Sequence, residues 1–143
     1  MNQGMITVFF EGRVRWTSPE LLDWNYRPTK ESDVYALGMV IYEVRIFIYT
    51  CPRRWAQEAE LRQVLYGTRP FDGVDRFRIA IEVLNGTRPT KPEDAASLGF
   101  TSGLWEIVEQ CWLADRNARP TLRAILSCLS KAAASWDDRR KGV

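Results

Sequence analysis

Few side chains in this chain could carry out chemistry, and their types and spacing exclude several kinds of site. Histidine is absent, which excludes a Ser-His or Cys-His nucleophile, a histidine general base and a histidine-ligated metal. The cysteines are Cys51, Cys111 and Cys128, and their wide spacing supports neither a zinc site nor a disulfide framework. We interpret them as reduced, mostly buried thiols and predict no metal-binding residues.

Three charged side chains are candidates for structural roles. Glu20 interrupts a largely apolar stretch, and Arg119 follows 99 residues later. A planar guanidinium can bind a carboxylate through two parallel hydrogen bonds, but two unrelated surface charges would give the same sequence. Asp33 falls in the first turn of an apolar segment with helical spacing, where a carboxylate stabilises the helix N-terminus.

Apolar residues with helical spacing predict the two elements that follow Glu20. In the first, Thr29 or Ser32 can cap a helix whose apolar positions include Val34, Leu37, Ile41 and Val44. This helix is apolar nearly all round, which is typical of a buried helix. In the second, Asp75 is the predicted cap and Gly86 suits the position after the helix; its apolar stripe is Phe77, Ile81 and Leu84.

Two further helices are predicted towards the C-terminus. Thr101 or Ser102 begins the third helix, whose apolar residues are Leu104, Ile107, Val108 and Cys111. Thr121 caps the fourth helix, whose apolar face is Leu122, Ile125, Leu126 and Leu129. The sequence therefore predicts a mainly α protein of four or five helices.

The composition is that of a globular domain. Hydrophobic residues make up 45% and charged residues 27%, and the net charge is +2, which gives no argument for binding nucleic acid. The apolar stretch from Val34 to Tyr49 is short for a membrane span and contains Glu43 and Arg45. Because no secretory signal is visible either, we predict a cytoplasmic protein that binds no membrane.

Three blocks of sequence occur in an order that is typical of one family. They are the segment from Arg15 to Glu20, the segment from Ser32 to Val44, and the pattern Cys111-Trp112-x-x-Asp115-x-x-x-Arg119-Pro120-Thr121. Together they resemble the C-terminal lobe of a eukaryotic protein kinase domain, in the tyrosine-kinase-like or serine/threonine group. Ser18, Tyr35 and Arg116 stand where that family usually has alanine, tryptophan and proline.

The resemblance implies roles for the residues noted above. Glu20 and Arg119 are expected to pair beneath a substrate-docking loop, and Asp33 is expected to accept hydrogen bonds from a catalytic loop. The docking loop is expected to consist of Arg15, Trp16, Thr17, Ser18 and Pro19. Arg13 follows Gly12 where serine/threonine kinases usually carry threonine, so serine/threonine and tyrosine specificity both stay open.

The sequence lacks the motifs with which kinases hold ATP and transfer phosphate. No G-x-G-x-x-G, V-A-I-K, H-R-D or D-F-G occurs. The resemblance implies ATP and Mg²⁺ for a parent kinase, but we assign no catalytic, cofactor-binding or metal-binding residue in this chain and expect it to be inactive by itself.

We divide the chain into three parts. Residues 1–12 are expected to be the remnant of an activation-segment loop, residues 13–134 a partial C-terminal lobe, and residues 135–143 a frayed tail. Deleting residues 44–63 would join Glu43 to Val64 and give a sequence closer to the family. This segment is either a retained intron, since codons for its ends can supply GT and AG, or a surface insertion.

Two functions are consistent with these observations. The first is a kinase fragment whose parent phosphorylates serine, threonine or tyrosine in proteins during signalling. The alternative is a non-catalytic, kinase-derived module that binds protein partners. The expected partners are protein substrates or the missing kinase half. Self-association is also expected, through an apolar face of the first helix at Val34 to Ile41 that preceding kinase helices would otherwise cover.

Overall fold

A computed structural model describes residues 12–23, 25–50, 70–93, 95 and 100–141, without the side chains of residues 45–50 and 136–141. The described residues form helices and turns and contain no strand. The α-helices are α1 (Lys30–Thr50), α2 (Arg76–Leu84), α3 (Ser102–Cys111) and α4 (Leu122–Lys141). Short 3-10 turns lie at Arg13–Trp16, Pro19–Leu22 and Arg116–Ala118. The prediction of a mainly α protein is confirmed.

Thr29 caps α1. The Ser32 amide donates to Thr29 Oγ1 at 3.3 Å, and the Thr29 amide donates to Ser32 Oγ at 2.9 Å. The side chain of each residue therefore accepts a hydrogen bond from the backbone amide of the other. The helix runs to Thr50, and it therefore includes the first residues of the segment 44–63 that we expected to be a retained intron or a surface insertion. After Gly38, no glycine or proline occurs before Pro52, which explains why the backbone can stay helical.

The predicted ends of the other helices are confirmed. Asp75 accepts a hydrogen bond from the Phe77 amide at 2.9 Å at the start of α2, and Gly86, just after that helix, has a φ of 86°. Thr101 caps α3 through the Leu104 amide at 3.2 Å. Thr121 accepts from an amide in the first turn of α4.

The core lies between α1 and α3. Tyr35 and Met39 of α1 and Leu104 and Val108 of α3 are fully buried. Aromatic rings extend this contact, since Trp105 packs edge-on against Phe100 and Trp112 with centroid distances of 5.5 and 6.0 Å. Such edge-to-face pairs add about 1 kcal/mol each to the energy of burial.

The apolar stripe predicted for α2 is not its buried face, and the one predicted for α4 is buried only in part. In α2 the predicted stripe of Phe77, Ile81 and Leu84 is exposed, and the buried residues are Ile79, Ala80 and Val83. In α4 Ile125 is buried, whereas Leu122 and Leu126 are exposed. Each helix carries apolar residues over a wider arc than one neighbour can cover, so tertiary packing selects the buried part.

Parts of the expected division of the chain lie outside the described residues. These are residues 1–11 of the expected loop and residues 51–63 of the expected insertion. In residues 135–143, where we expected a frayed tail, the backbone is helical as far as Lys141. Among the described helices, none is both long enough and apolar enough to cross a bilayer.

Gly38 determines how closely α3 can approach α1. A Cβ atom at this position would lie 2.6 Å from Cys111 Cβ and 2.8 Å from Trp112 Nε1. We expect Gly38→Ala to lower the free energy of unfolding by about 1–3 kcal/mol, because the added methyl group forces the two helices apart. Urea denaturation of the full chain, followed by tryptophan fluorescence, measures this change.

Gly103 provides a matched control in α3, because a Cβ atom there would have no heavy atom within 4 Å. Gly103→Ala should raise the free energy of unfolding by up to about 1 kcal/mol through helix propensity. Equal destabilisation by the two substitutions would contradict the packing argument.

Candidate substrate-docking site

We call residues 15–20, which are the expected docking loop and Glu20, the docking segment. It begins in one 3-10 turn and ends in the next. Thr17 and Ser18 have extended backbone between the turns, and Pro19 begins the second turn, where a proline is favourable because it has no N–H to satisfy. Thr17 and Ser18 are buried, and the Thr17 hydroxyl donates to the Arg13 carbonyl at 2.9 Å. The loop is therefore held by its own backbone as well as by its neighbours.

The structure brings Glu20 and Arg119 together. Arg119 Nη1 donates to Glu20 Oε1 at 2.6 Å and Nη2 donates to Oε2 at 2.9 Å, which is a bidentate pair. The Arg119 side chain is fully buried, and that of Glu20 is 12% exposed. The resemblance led us to expect this pairing. The ion pair joins the docking segment to the turn that precedes α4.

Arg119 also makes hydrogen bonds to the backbone. Its Nε donates to the Leu113 carbonyl at 3.0 Å, and Nη1 donates to the Glu31 carbonyl at 2.8 Å. One guanidinium thus connects the docking segment, the first turn of α1 and the residues just after α3. The carboxylate and the two carbonyls together offset the cost of burying the charge.

Tyr35 lies beside two guanidinium groups. The Cζ atoms of Arg119 and Arg88 are 5.2 and 5.3 Å from its ring centroid, within the range of cation–π attraction. Burial raises the pKa of Tyr35 to about 12, although both arginines act in the opposite direction. The ring that replaces the family's usual tryptophan is thus neutral and enclosed.

The docking loop is also fixed by two contacts that the sequence did not indicate. Trp16 Nε1 donates to Glu43 Oε2 in α1 at 2.9 Å. The Arg15 guanidinium donates to the carbonyls of Pro70, Phe71 and Val74 at 2.7, 2.5 and 3.2 Å. Phe71 has a φ of 58°, which is strained for a bulky residue, and Arg15 stabilises the turn that contains it.

Asp33 is separate from this network. It is exposed in the first turn of α1 and lies at the rim of a groove of about 510 Å³ between α1 and the start of α4. Within the described parts of the chain, its carboxylate takes part in no hydrogen bond or ion pair. The role that the resemblance implies for it, as an acceptor for a catalytic loop, stays a prediction.

Among the described residues, no cluster of side chains fits a Mg²⁺ ion. The docking segment and its neighbours contribute buried hydroxyls and paired charges, and nowhere in the described ranges do three or more acidic, cysteine or histidine side chains gather into a possible metal site. A Mg²⁺–phosphate group needs carboxylates that are open to it. We therefore derive no step of phosphate transfer from these residues.

We expect Glu20→Gln to lower the free energy of unfolding by about 3 kcal/mol, because the buried Arg119 charge loses its counter-ion. Urea denaturation of the full chain measures the loss. Glu82→Gln is the control, since Glu82 forms an exposed ion pair with Arg78 at 3.4 Å, and its loss should cost less than about 0.5 kcal/mol. Similar losses for both variants would show that the buried pair contributes no more than a surface pair.

The same pair should make stability depend on pH. Burial raises the pKa of Glu20, but the hydrogen bonds and charge of Arg119, together with a backbone hydrogen bond, outweigh it and hold the pKa below its usual range. The unfolded chain therefore takes up this proton at a higher pH than the folded chain does, and folding loses stability as the pH falls below about 4. Denaturation between pH 7 and pH 3 should show a smaller loss for Glu20→Gln than for the wild type, and parallel curves would contradict this.

Comparison with known proteins shows the family of this chain. The model of the family "Protein tyrosine and serine/threonine kinase" matches residues 9–129. The serine/threonine-protein kinase VIK of Arabidopsis thaliana is 31% identical over 120 residues, which are 84% of this chain and 22% of that protein. Ephrin type-B receptor 3 of Xenopus laevis is 29% identical over 118 residues, 82% of this chain and 10% of that protein.

Melanoma receptor tyrosine-protein kinase of Xiphophorus maculatus is 26% identical over 121 residues, 84% of this chain and 8% of that protein. The chain thus spans less than a quarter of the length of each of these relatives. The family match includes the docking segment, the Glu20–Arg119 pair and all four helix starts. The chain belongs to the protein tyrosine and serine/threonine kinase family, and its helices are those of the kinase C-terminal lobe.

Proposed function

We propose that this chain is the substrate-holding part of a protein kinase whose whole domain transfers phosphate from ATP to a hydroxyl of a protein. The observation that carries the proposal is the docking segment, which is fixed from three sides. Glu20 binds Arg119, Trp16 binds Glu43, and Arg15 binds the turn before α2. A surface that must position a substrate hydroxyl relative to the reacting phosphate with an error of less than about 1 Å needs such rigidity.

Separate observations support the proposals about which hydroxyl is phosphorylated and about whether this chain is active by itself. The relatives include both serine/threonine and tyrosine kinases, so the proposal covers both acceptors. Because the sequence contains no phosphate-binding glycine motif, H-R-D or D-F-G, we propose that the 143-residue chain transfers no phosphate by itself. A cytoplasmic location, where ATP is available, is part of this proposal.

A second candidate, a non-catalytic module that binds proteins, is favoured by one observation. The groove between α1 and α4 is lined by Val34, Leu37 and Leu122, and Val40 and Val44 of α1 and Leu126 of α4 are exposed. An apolar surface of this kind usually marks an interface. Its occupant would be the rest of a kinase domain in the first proposal, and a separate protein or a second copy of this chain in the second.

Phosphate transfer separates the two candidates. The purified chain is incubated with labelled ATP, Mg²⁺ and two acceptors, myelin basic protein and a glutamate–tyrosine copolymer, and we expect no label above the blank. The longest transcript of the locus is sequenced, and its product is assayed in the same way. We expect that product to contain the missing motifs in frame and to label one of the acceptors.

Two results would overturn the first proposal. A longest transcript that starts at Met1, with an inactive product, would leave the non-catalytic module as the function. Label transferred by the 143-residue chain would show that the catalytic groups lie within it, contrary to the motif search.

A further inference from the structure

The turn that ends α2 contains the pair Asn85-Gly86, and both residues are exposed. Asn85 has φ −74° and ψ 0°, and Gly86 follows with φ 86°. A Cβ atom placed on Gly86 would have no heavy atom within 4 Å, so its surroundings are open. Among the described residues, the Asn85 side-chain amide has no hydrogen-bond partner. An asparagine with a free side chain therefore lies directly before an unhindered backbone nitrogen.

These two residues can react with each other. The Gly86 nitrogen attacks Cγ of Asn85, a C–N bond forms, and the side-chain nitrogen leaves as ammonia, which carries away the proton of the Gly86 amide. Water then adds to one of the two carbonyls of the resulting succinimide ring and breaks the bond from that carbonyl to the Gly86 nitrogen. Opening at Cγ gives aspartate. Opening at the main-chain carbonyl gives isoaspartate, in which the backbone runs through Cβ and Cγ.

The residue that follows each asparagine decides which asparagine reacts. Glycine has no Cβ atom and enters unusual backbone conformations at low cost, so its nitrogen can approach the preceding side chain. Asn25 precedes Tyr26 and Asn117 precedes Ala118, and a side chain at the following residue hinders the same approach. The sequence contains a single Asn-Gly pair, which makes Asn85 the most reactive asparagine.

One hydrogen bond must open before the reaction. The Gly86 amide donates to the Val83 carbonyl at 3.1 Å, and the ψ of Asn85 must rotate away from 0° to bring the nitrogen onto Cγ. These residues follow the last turn of a nine-residue helix, and helix ends fray readily. The step therefore requires a local opening and no unfolding of the core.

The products disturb the backbone of this turn. The Gly86 and Thr87 amides donate to the Val83 and Glu82 carbonyls at 3.1 and 2.9 Å, which is the Schellman arrangement at a helix C-terminus. Isoaspartate inserts one extra backbone atom just before Gly86, so these two amides lose their alignment with the two carbonyls. Both products also place a carboxylate at the helix C-terminus, where the helix dipole disfavours negative charge.

Arg88 transmits this change to the core. Its guanidinium donates to the Val83 carbonyl in α2 and to the Trp112 carbonyl just after α3, both at 3.0 Å. It also lies 5.3 Å from the ring centroid of Tyr35 in α1. A turn that loses its alignment therefore loosens a contact that joins three helices.

We infer that Asn85 is a site of spontaneous deamidation and isomerisation, which converts an ordered helix end into a charged and lengthened turn. The reaction requires only water and a base that accepts the Gly86 amide proton, so the inference is independent of the proposed kinase function. The isoaspartate carboxylate that it leaves is a substrate for methyl transfer from S-adenosylmethionine.

The test is ageing of the purified full chain at pH 8 and physiological temperature, followed by peptide mapping with mass spectrometry. We expect Asn85 to be converted at least about tenfold faster than Asn25 and Asn117. A protein-isoaspartate carboxyl methyltransferase with labelled S-adenosylmethionine should label the peptide that contains residue 85. Asn85→Gln is the control, because the longer side chain would have to close a larger ring, and this variant should gain no label there.

The melting temperature separates the effect of the charge from that of the backbone. Asn85→Asp carries the charge with a normal backbone. We expect the aged chain to melt at a lower temperature than fresh Asn85→Asp, because only the aged chain contains isoaspartate. Ageing should leave the melting temperature of Asn85→Gln unchanged.

Three results would overturn the inference. Equal conversion of Asn85, Asn25 and Asn117 would show that the glycine gives no advantage. Conversion of Asn85 in urea but not in the folded chain would show that the Schellman turn protects the site. An aged chain that melts at the same temperature as Asn85→Asp would show that the turn is charged but not lengthened.

Discussion

The Arg119 guanidinium is the group on which the rest of this structure depends. It is fully buried, so it must find its charge partner and its hydrogen-bond acceptors inside the protein. These come from Glu20 in the docking segment, from the Glu31 carbonyl in α1 and from the Leu113 carbonyl after α3. The docking segment and the first turn of α1 are therefore fixed relative to the turn before α4, which lies 99 and 88 residues further along the chain. The pair contributes a defined arrangement more than net stability.

Helix α1 supplies the surface against which this arrangement is built. Gly38 lets Cys111 and Trp112 approach the helix, and Tyr35 fills the space beside Arg119 and Arg88. On another side Glu43 accepts a hydrogen bond from Trp16 of the docking segment. The same helix thus positions α3 and the docking segment, and its remaining apolar side faces the groove next to α4.

The docking segment is joined to the turn that precedes α2 because Arg15 connects them. Three backbone carbonyls in a strained turn accept from a single side chain, and the turn leads directly into α2. The 143 residues contain these contacts but none of the motifs G-x-G-x-x-G, H-R-D and D-F-G.

The sequence alone was enough to predict a mainly α protein and the residues at which most helices begin, because these depend on local chemistry. Asp75, Thr101 and Thr121 cap helices because a short polar side chain can reach a free amide nearby, and Gly86 ends one because it tolerates a positive φ. Three ordered motifs likewise indicated the family. Only the tertiary structure decided that Phe77 and Ile81 face solvent, and that Arg15 binds a turn remote in sequence. Apolar residues surround α2 on more than one side, so the sequence cannot show which side a neighbour covers, and a contact between distant segments leaves no periodic pattern.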